Sequence, residues 1–216
     1  ITADRLVADS ELVHALPGPL REAVYKLDPR GTFFLRGGLN LAGTDRRDDP
    51  VAAAWNVRLD LHNAQLRCGV PLEHVNGSVQ LVGDFDGQTF GSRGELDIDS
   101  LTWQKLQFTQ LKGPLWLDAD RVLFGQLADQ AANRAARSST TQAADKAPRH
   151  VTAGVYGGQI FGDGWVTQGR TPEFGLNANV SSLDLKRFSE ELFAGQSQIS
   201  GLMQGTMNLR GTAAGA

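Results

Sequence analysis

Four histidines, His14, His62, His74 and His150, are the chain's only imidazoles, and no two fall at a spacing that would hold a metal. His62 occupies a polar position in an alternating run and reads as a solvated strand residue. Asp97/Asp99 and Asp118/Asp120 are carboxylate pairs at a spacing of two, which places both members on one face of a strand. Such a pair can do acid–base work across a glycosidic bond, but the wet face of a sheet needs the same residues, and that reading is preferred. Asp84-x-Asp86-Gly87 matches the start of a calcium loop, with Glu95 at the twelfth position. Its sixth position is Thr89 where glycine is required, so a hairpin turn explains it better. The Gly-rich stretch Gly154–Gly164 ends in no Gly-Lys-Ser/Thr and opens no helix, so it is neither a P-loop nor a dinucleotide fingerprint. No Gly-x-Ser-x-Gly elbow occurs. Cys68 is the lone cysteine, which excludes an internal disulfide and a four-cysteine zinc site. The chain is expected to be non-enzymatic, with no catalytic residue, metal or cofactor.

The elements that would position such residues are mostly strands. Val75-Asn76-Gly77-Ser78-Val79-Gln80-Leu81 and Leu111-Lys112-Gly113-Pro114-Leu115-Trp116-Leu117 both read apolar-x-Gly-x-apolar-x-apolar. A period of two gives each strand one apolar and one polar face, as in an antiparallel sheet wetted on one side. Trp55–His62 alternates most strictly. Further strands are expected at Ile1–Ala8, Thr32–Ala42 (with a bulge at Gly37-Gly38), Val79–Val82, Thr89–Arg93, Glu95–Ile98, Thr102–Thr109, Pro114–Leu117 and Val122–Phe124. Asp86-Gly87 predicts a two-residue hairpin, and Thr44–Pro50 a charged hairpin loop. Helical spacing with proline breaks predicts two short helices between Asp9 and Leu27.

Gln126–His150 breaks the pattern. Its alanines and the run Ser138-Ser139-Thr140-Thr141 predict a mobile loop with a helical start. Strands then resume at Val151–Tyr156, Gln159–Phe161, Gly164–Thr167 and Glu173–Val180. A helix Leu183–Phe193 follows, capped by Ser181-Ser182, and Ser197–Arg210 forms a bent strand or hairpin. The helix-then-strand order before Gly43 is echoed before Gly211, which predicts modular repeats along an extended sheet. Three segments result: 1–125, a helix plus β-meander repeat; 126–150, the loop; and 151–216, a second repeat. The whole is expected to be a fragment of a longer chain.

Hydrophobic residues make up 41% and charged ones 21% of 216 residues, a composition that can bury a core and is not that of a disordered chain. The formal net charge of −3 lacks the basic field that nucleic acid requires. No apolar run approaches the ~20 residues that span a bilayer.

The run Val155-Tyr156-Gly157-Gly158-Gln159-Ile160-Phe161-Gly162-Asp163-Gly164, then Phe174–Val180, the helix Leu183–Phe193 and Ile199–Gly211 resemble the C-terminal part of AsmA-like proteins. The likeness lies in a Tyr-Gly-Gly opening, a helix and a closing strand with Leu-x-Gly, and covers about the last third of the chain. It implies a mainly β fold with a few short α-helices: an extended, curled antiparallel sheet, taco-like, with an apolar groove. It also implies a periplasmic, Gram-negative cell-envelope protein, anchored in the inner membrane through missing parts of the full-length chain. Its task would be moving phospholipid to the outer membrane, with no catalytic residues. Groove-lining candidates from the alternation are Trp55, Val57, Leu59, Leu61, Val79, Leu81, Leu96, Ile98, Leu106, Phe108, Leu115, Leu117, Leu176 and Val180. Expected partners are phospholipid acyl chains and neighbouring repeats of the same chain. The alternative is a filled β-sandwich or solenoid module that binds no lipid.

Overall fold

The computed structural model describes residues 3–6, 28–43, 52–67, 71–138, 147–168, 171–192 and 199–212. Eleven strands and two helices follow in chain order: β1 (Ala3–Leu6), β2 (Arg30–Ala42), β3 (Ala52–Arg67), β4 (Pro71–Phe85), β5 (Phe90–Trp103), β6 (Leu106–Asp118), β7 (Arg121–Phe124), α1 (Gln126–Ser138), β8 (Val151–Val155), β9 (Gly158–Thr167), β10 (Glu173–Asp184), α2 (Leu185–Leu192) and β11 (Leu202–Thr212). All described strands join one antiparallel sheet, partly curled and not closed into a barrel. The helices expected between Asp9 and Leu27 and the loop Thr44–Pro50 lie outside the described residues.

The eleven strands fill ten positions. Short β7 pairs with residues 115–117 of β6, and β8 pairs farther along the same strand, at Thr109 and Lys112. Both also pair with β9. They are two halves of one strand position, interrupted by the excursion that carries α1. The expected segment boundaries at 125 and 150 are thus the exit and re-entry of this excursion, and the strands on either side share a single sheet.

The helical start expected of the segment after Phe124 is the helix α1, Gln126–Ser138. Alanine has the best helix propensity, and a carboxylate from β9 completes the helix start: Gln126 N–H donates to Asp163 Oδ1 at 2.7 Å. Other expectations shift with the tertiary pairing. β2 and β3 pair without a bulge at Gly37-Gly38; the irregularity sits at Gly31 instead. The expected strand Thr102–Thr109 contains a hairpin turn at Gln104-Lys105, both left-handed at φ 48° and 70°. Asp86-Gly87 belongs to a four-residue loop between the paired Phe85 and Phe90. Asp86 holds that loop by accepting from Gln88 N and Thr89 N at 2.9 and 2.7 Å, which lowers its carboxyl pKa. α2 starts later than expected, because Asp184 caps it by accepting from Lys186 N at 2.9 Å while Ser181 and Ser182 belong to β10. Of the stretch Ser197–Arg210, the described residues from Leu202 on belong to one strand, β11.

A crease crosses the sheet. Gly31, Asn63, His74 and Gln110 are left-handed on β2, β3, β4 and β6, and the β2–β3, β3–β4 and β4–β5 registers shift beside the first three. Asn76 ties the crease: it accepts from Asn63 N–H at 2.8 Å and donates to the His74 carbonyl and Ser100 Oγ. Such bulges bend strands and reverse which residues face inward. Ala64, Val75 and Leu101 beyond the crease therefore face the same side as Phe33, Leu61 and Ile98 before it, and these six form the core cluster.

Candidate functional site

Residues paired across neighbouring antiparallel strands share a face, so the register maps the candidate lining residues. Val57, Leu81, Leu115, Phe124, Leu176 and Leu209 form one row across the sheet, with Gly94 and Gly164 at its glycine positions. Leu59, Val79 and Leu96 form the next row, and Leu61 and Ile98 the one nearest the crease. Trp55 and Leu117 lie in the row on the other side. Val180 pairs with Ile160 on the same face as Leu176. Beyond the crease Leu106 opposes Trp103 and Phe108 opposes Leu101. All fourteen candidates thus share one face.

They do not share one environment. Leu61 and Ile98 are 2% and 4% exposed within the core cluster, and Leu59, Val79 and Phe108 pack against it. Trp55, Val57, Leu81, Leu96, Leu106, Leu115, Leu117, Leu176 and Val180 are half-buried. Sequence reading missed Leu39, Leu41, Phe124, Met207 and Leu209, which belong to the same face; the alternation of β11 carries the signal for the last two.

Glycines let large neighbours lie across the rows. A Cβ at Gly94 would sit 2.9 Å from Leu81 Cδ2 and 3.1 Å from Leu115 Cδ2, so these leucines meet over a bare backbone. Trp55 reaches across Gly83 and donates from Nε1 to Ser92 Oγ at 3.1 Å. Ser92 is the buried polar side chain of this row, and it is satisfied.

The opposite face carries the charge: Lys112–Asp97 at 3.0 Å and Arg58–Asp60 at 2.8 Å. α1 lies on this side, against β6. Asp163 fastens both ends of the excursion, capping Gln126 at the exit and accepting from His150 Nδ1 at 3.0 Å at the re-entry. Arg149 makes a two-pronged pair with Glu95, at 2.9 and 3.0 Å, and also binds Asp129 of α1. These carboxylates raise the Arg149 pKa. Replacing Asp163 by alanine is expected to free α1 from the sheet and to cost about 2–3 kcal/mol, because it strands two donors at a mostly buried carboxylate site. Loss of helical circular dichroism at an earlier urea midpoint would register it.

The residues weighed for chemistry have structural employment. Asp118 accepts from Asp120 N, Arg121 N and Trp116 Nε1, fastening the β6–β7 turn. Asp97 is paired with Lys112, and the β4–β5 register shifts beside Asp99. His62 is exposed and meets Phe34 edge-on, and His74 Nδ1 contacts Asn63. Glu95 serves Arg149, far from any calcium loop. His14 lies outside the described residues. Tyr156-Gly157, near the start of the Gly-rich stretch, is a hairpin turn with φ 42° and 78°; burial raises the Tyr156 hydroxyl pKa. Among the described residues no cluster of three metal-ligating side chains occurs, and no helix is long and apolar enough to cross a membrane.

Comparison with protein-family models, with curated proteins and with solved structures finds no match for this chain.

Proposed function

We propose that the apolar face of the curled sheet binds lipid acyl chains and that the chain acts without catalysis. One observation carries this reading: apolar rows run in register from β2 to β11 on one face of a sheet that does not close on itself. Nine strand positions at about 4.8 Å give such a row a length of roughly 38 Å. The row side chains offer contact area and no charge, which suits a ligand recognised by burial alone. Ten methylenes would gain on the order of 8 kcal/mol before the costs of association.

With the resemblance of its last third to AsmA-like proteins, the proposal extends to a place and a task. The chain is a segment of a periplasmic cell-envelope protein, membrane-associated through other parts, that conducts phospholipid between inner and outer membrane and stacks on neighbouring repeats. The competing reading, a structural module with a filled core, draws support from the closed cluster at the crease alone, since the described strands form no second sheet to pack on the rest.

Native mass spectrometry of the purified chain, followed by lipid extraction, tests the proposal. Phospholipid is expected to co-purify. Glutamates at Val57 and Leu115, in the half-buried row, are expected to lower the bound fraction at least about tenfold while strand circular dichroism is kept, since a carboxylate against an alkyl chain is strongly disfavoured. A lipid-free native chain, or folded variants that retain lipid in full, would overturn it.

A further inference from the structure

On the face away from the apolar rows a cleft opens where β6 and β8 part. The two strands pair at Thr109 and Lys112, with Gln110 left-handed at φ 50° between them. Towards the β5–β6 turn that pairing stops, and Gln107 N–H donates instead to the Tyr156 hydroxyl at 3.4 Å. α2 borders the other side, its Phe188 ring edge-on to Tyr156 at 5.7 Å. The cleft measures about 750 Å³, within the range of small-molecule sites. Gln107, Gln110 and Gln159 line it, and among the described residues none of their side-chain amides has a hydrogen-bond partner. Each amide offers two donors and an acceptor. The charged lining groups already have neighbours: Arg187 lies 3.6 Å from Asp184, Glu190 lies 3.9 Å from Lys186, and Glu191 stands against the Tyr156 hydroxyl. An anion would meet two glutamates here, and a cation an arginine. A neutral ligand dense in hydroxyls, each donor and acceptor at once, matches the three free amides.

The same face continues this chemistry along β10 and β11. Asn177 and Asn208 pair directly, both exposed, and among the described residues their side-chain amides are also without partners. In the neighbouring row the half-buried Trp165 indole lies across Gly175, where a Cβ would collide with it. An accessible indole beside free amides suits a sugar, whose C–H faces pack on the ring while its hydroxyls take the amides. Gln159 and Trp165 stand six residues apart on β9, roughly 20 Å along the strand. A linear chain laid over Asn177 and Asn208 reaches both, and a single sugar does not. We infer that this polar face binds a neutral linear oligosaccharide, anchored in the cleft by Gln107, Gln110 and Gln159 and packed on Trp165. Because it lies opposite the apolar rows, this site stands independently of the acyl-chain reading.

Isothermal titration of the full chain with cellohexaose and with chitohexaose tests the site. At least one hexasaccharide is expected to bind, and its monosaccharide at least about tenfold more weakly, because one unit cannot span from the cleft to Trp165. The double variant Gln107→Ala, Gln159→Ala removes two exposed amides and is expected to weaken the hexasaccharide about tenfold. The glutamate variants at Val57 and Leu115, on the other face, are expected to bind it as the native chain does. Binding of neither hexasaccharide, or undiminished binding by the folded double variant, would overturn the site and leave the acyl-chain reading standing. Loss of saccharide binding in the folded glutamate variants would overturn its placement on the polar face. In the unaltered chain the side-chain amide resonances of Gln107 and Gln159 are expected to move on adding the hexasaccharide. Unmoved resonances with the sugar bound would overturn the inference even where the double variant does not fold.

Discussion

Gly162→Val is expected to abolish the native pairing of β8, β9 and β10, with a loss on the order of 4 kcal/mol or more. Gly162 is buried, opposite Val151 on one side and Ala178 on the other. A Cβ there would collide with the carbonyl oxygen of Asn177 and lie 2.8 Å from the Cα of Ala178. Both obstacles are backbone, so no rotamer change relieves them, and β9 would have to move away from β10. β10 carries Leu176 and Val180, so the apolar rows would be cut at that point. Gly205→Val is the control: nothing lies within 4 Å of a Cβ there, and a change under about 1 kcal/mol is expected. Urea unfolding followed by strand circular dichroism measures both. Equal midpoints for the two variants would refute the account of close strand approach.

Leu61→Ala is expected to cost about 3–4 kcal/mol. Its side chain is among the largest fully buried ones and sits at the crease, in the cluster with Phe33, Ala64, Val75, Ile98 and Leu101. Strands on both sides of the crease contribute to that cluster, and bulged backbone cannot collapse easily onto a cavity. Leu41→Ala, on the same face but 65% exposed, is expected to cost less than about 1 kcal/mol. The same pair of variants separates stability from binding. Leu41 has little to stabilise but remains available to a ligand, so truncating it should weaken lipid binding without moving the urea midpoint. Identical midpoints for both variants would show that the crease cluster is not the core.

The asymmetry of the two faces explains how one chain accommodates both a packed helix and an open apolar surface. α1 occupies the charged face, held through Asp163 and Arg149, both ends of its excursion fixed within one strand position. The helix therefore adds mass to the back of the sheet without covering the apolar rows.

Much of this was legible in the sequence. Strict alternation in Trp55–His62, Val75–Leu81 and Leu111–Leu117 determined that these segments are strands and which residues share a side, because side-chain direction in a strand is a local property with a period of two. For the same reason the candidate lining residues emerged on a single face. Tertiary structure alone decided which of them are shut in the core and which stay accessible: Leu61 and Leu81 are indistinguishable by pattern, but one lies at the crease and the other in an open row. It also decided that Gln104-Lys105 turns, that the helix α1 is fastened by Asp163, and that β7 and β8 share a position. Those outcomes depend on partners far away in the chain, such as the carboxylate of Asp163 meeting Gln126 N–H across 37 residues. A local pattern holds no information about a neighbour that only folding supplies.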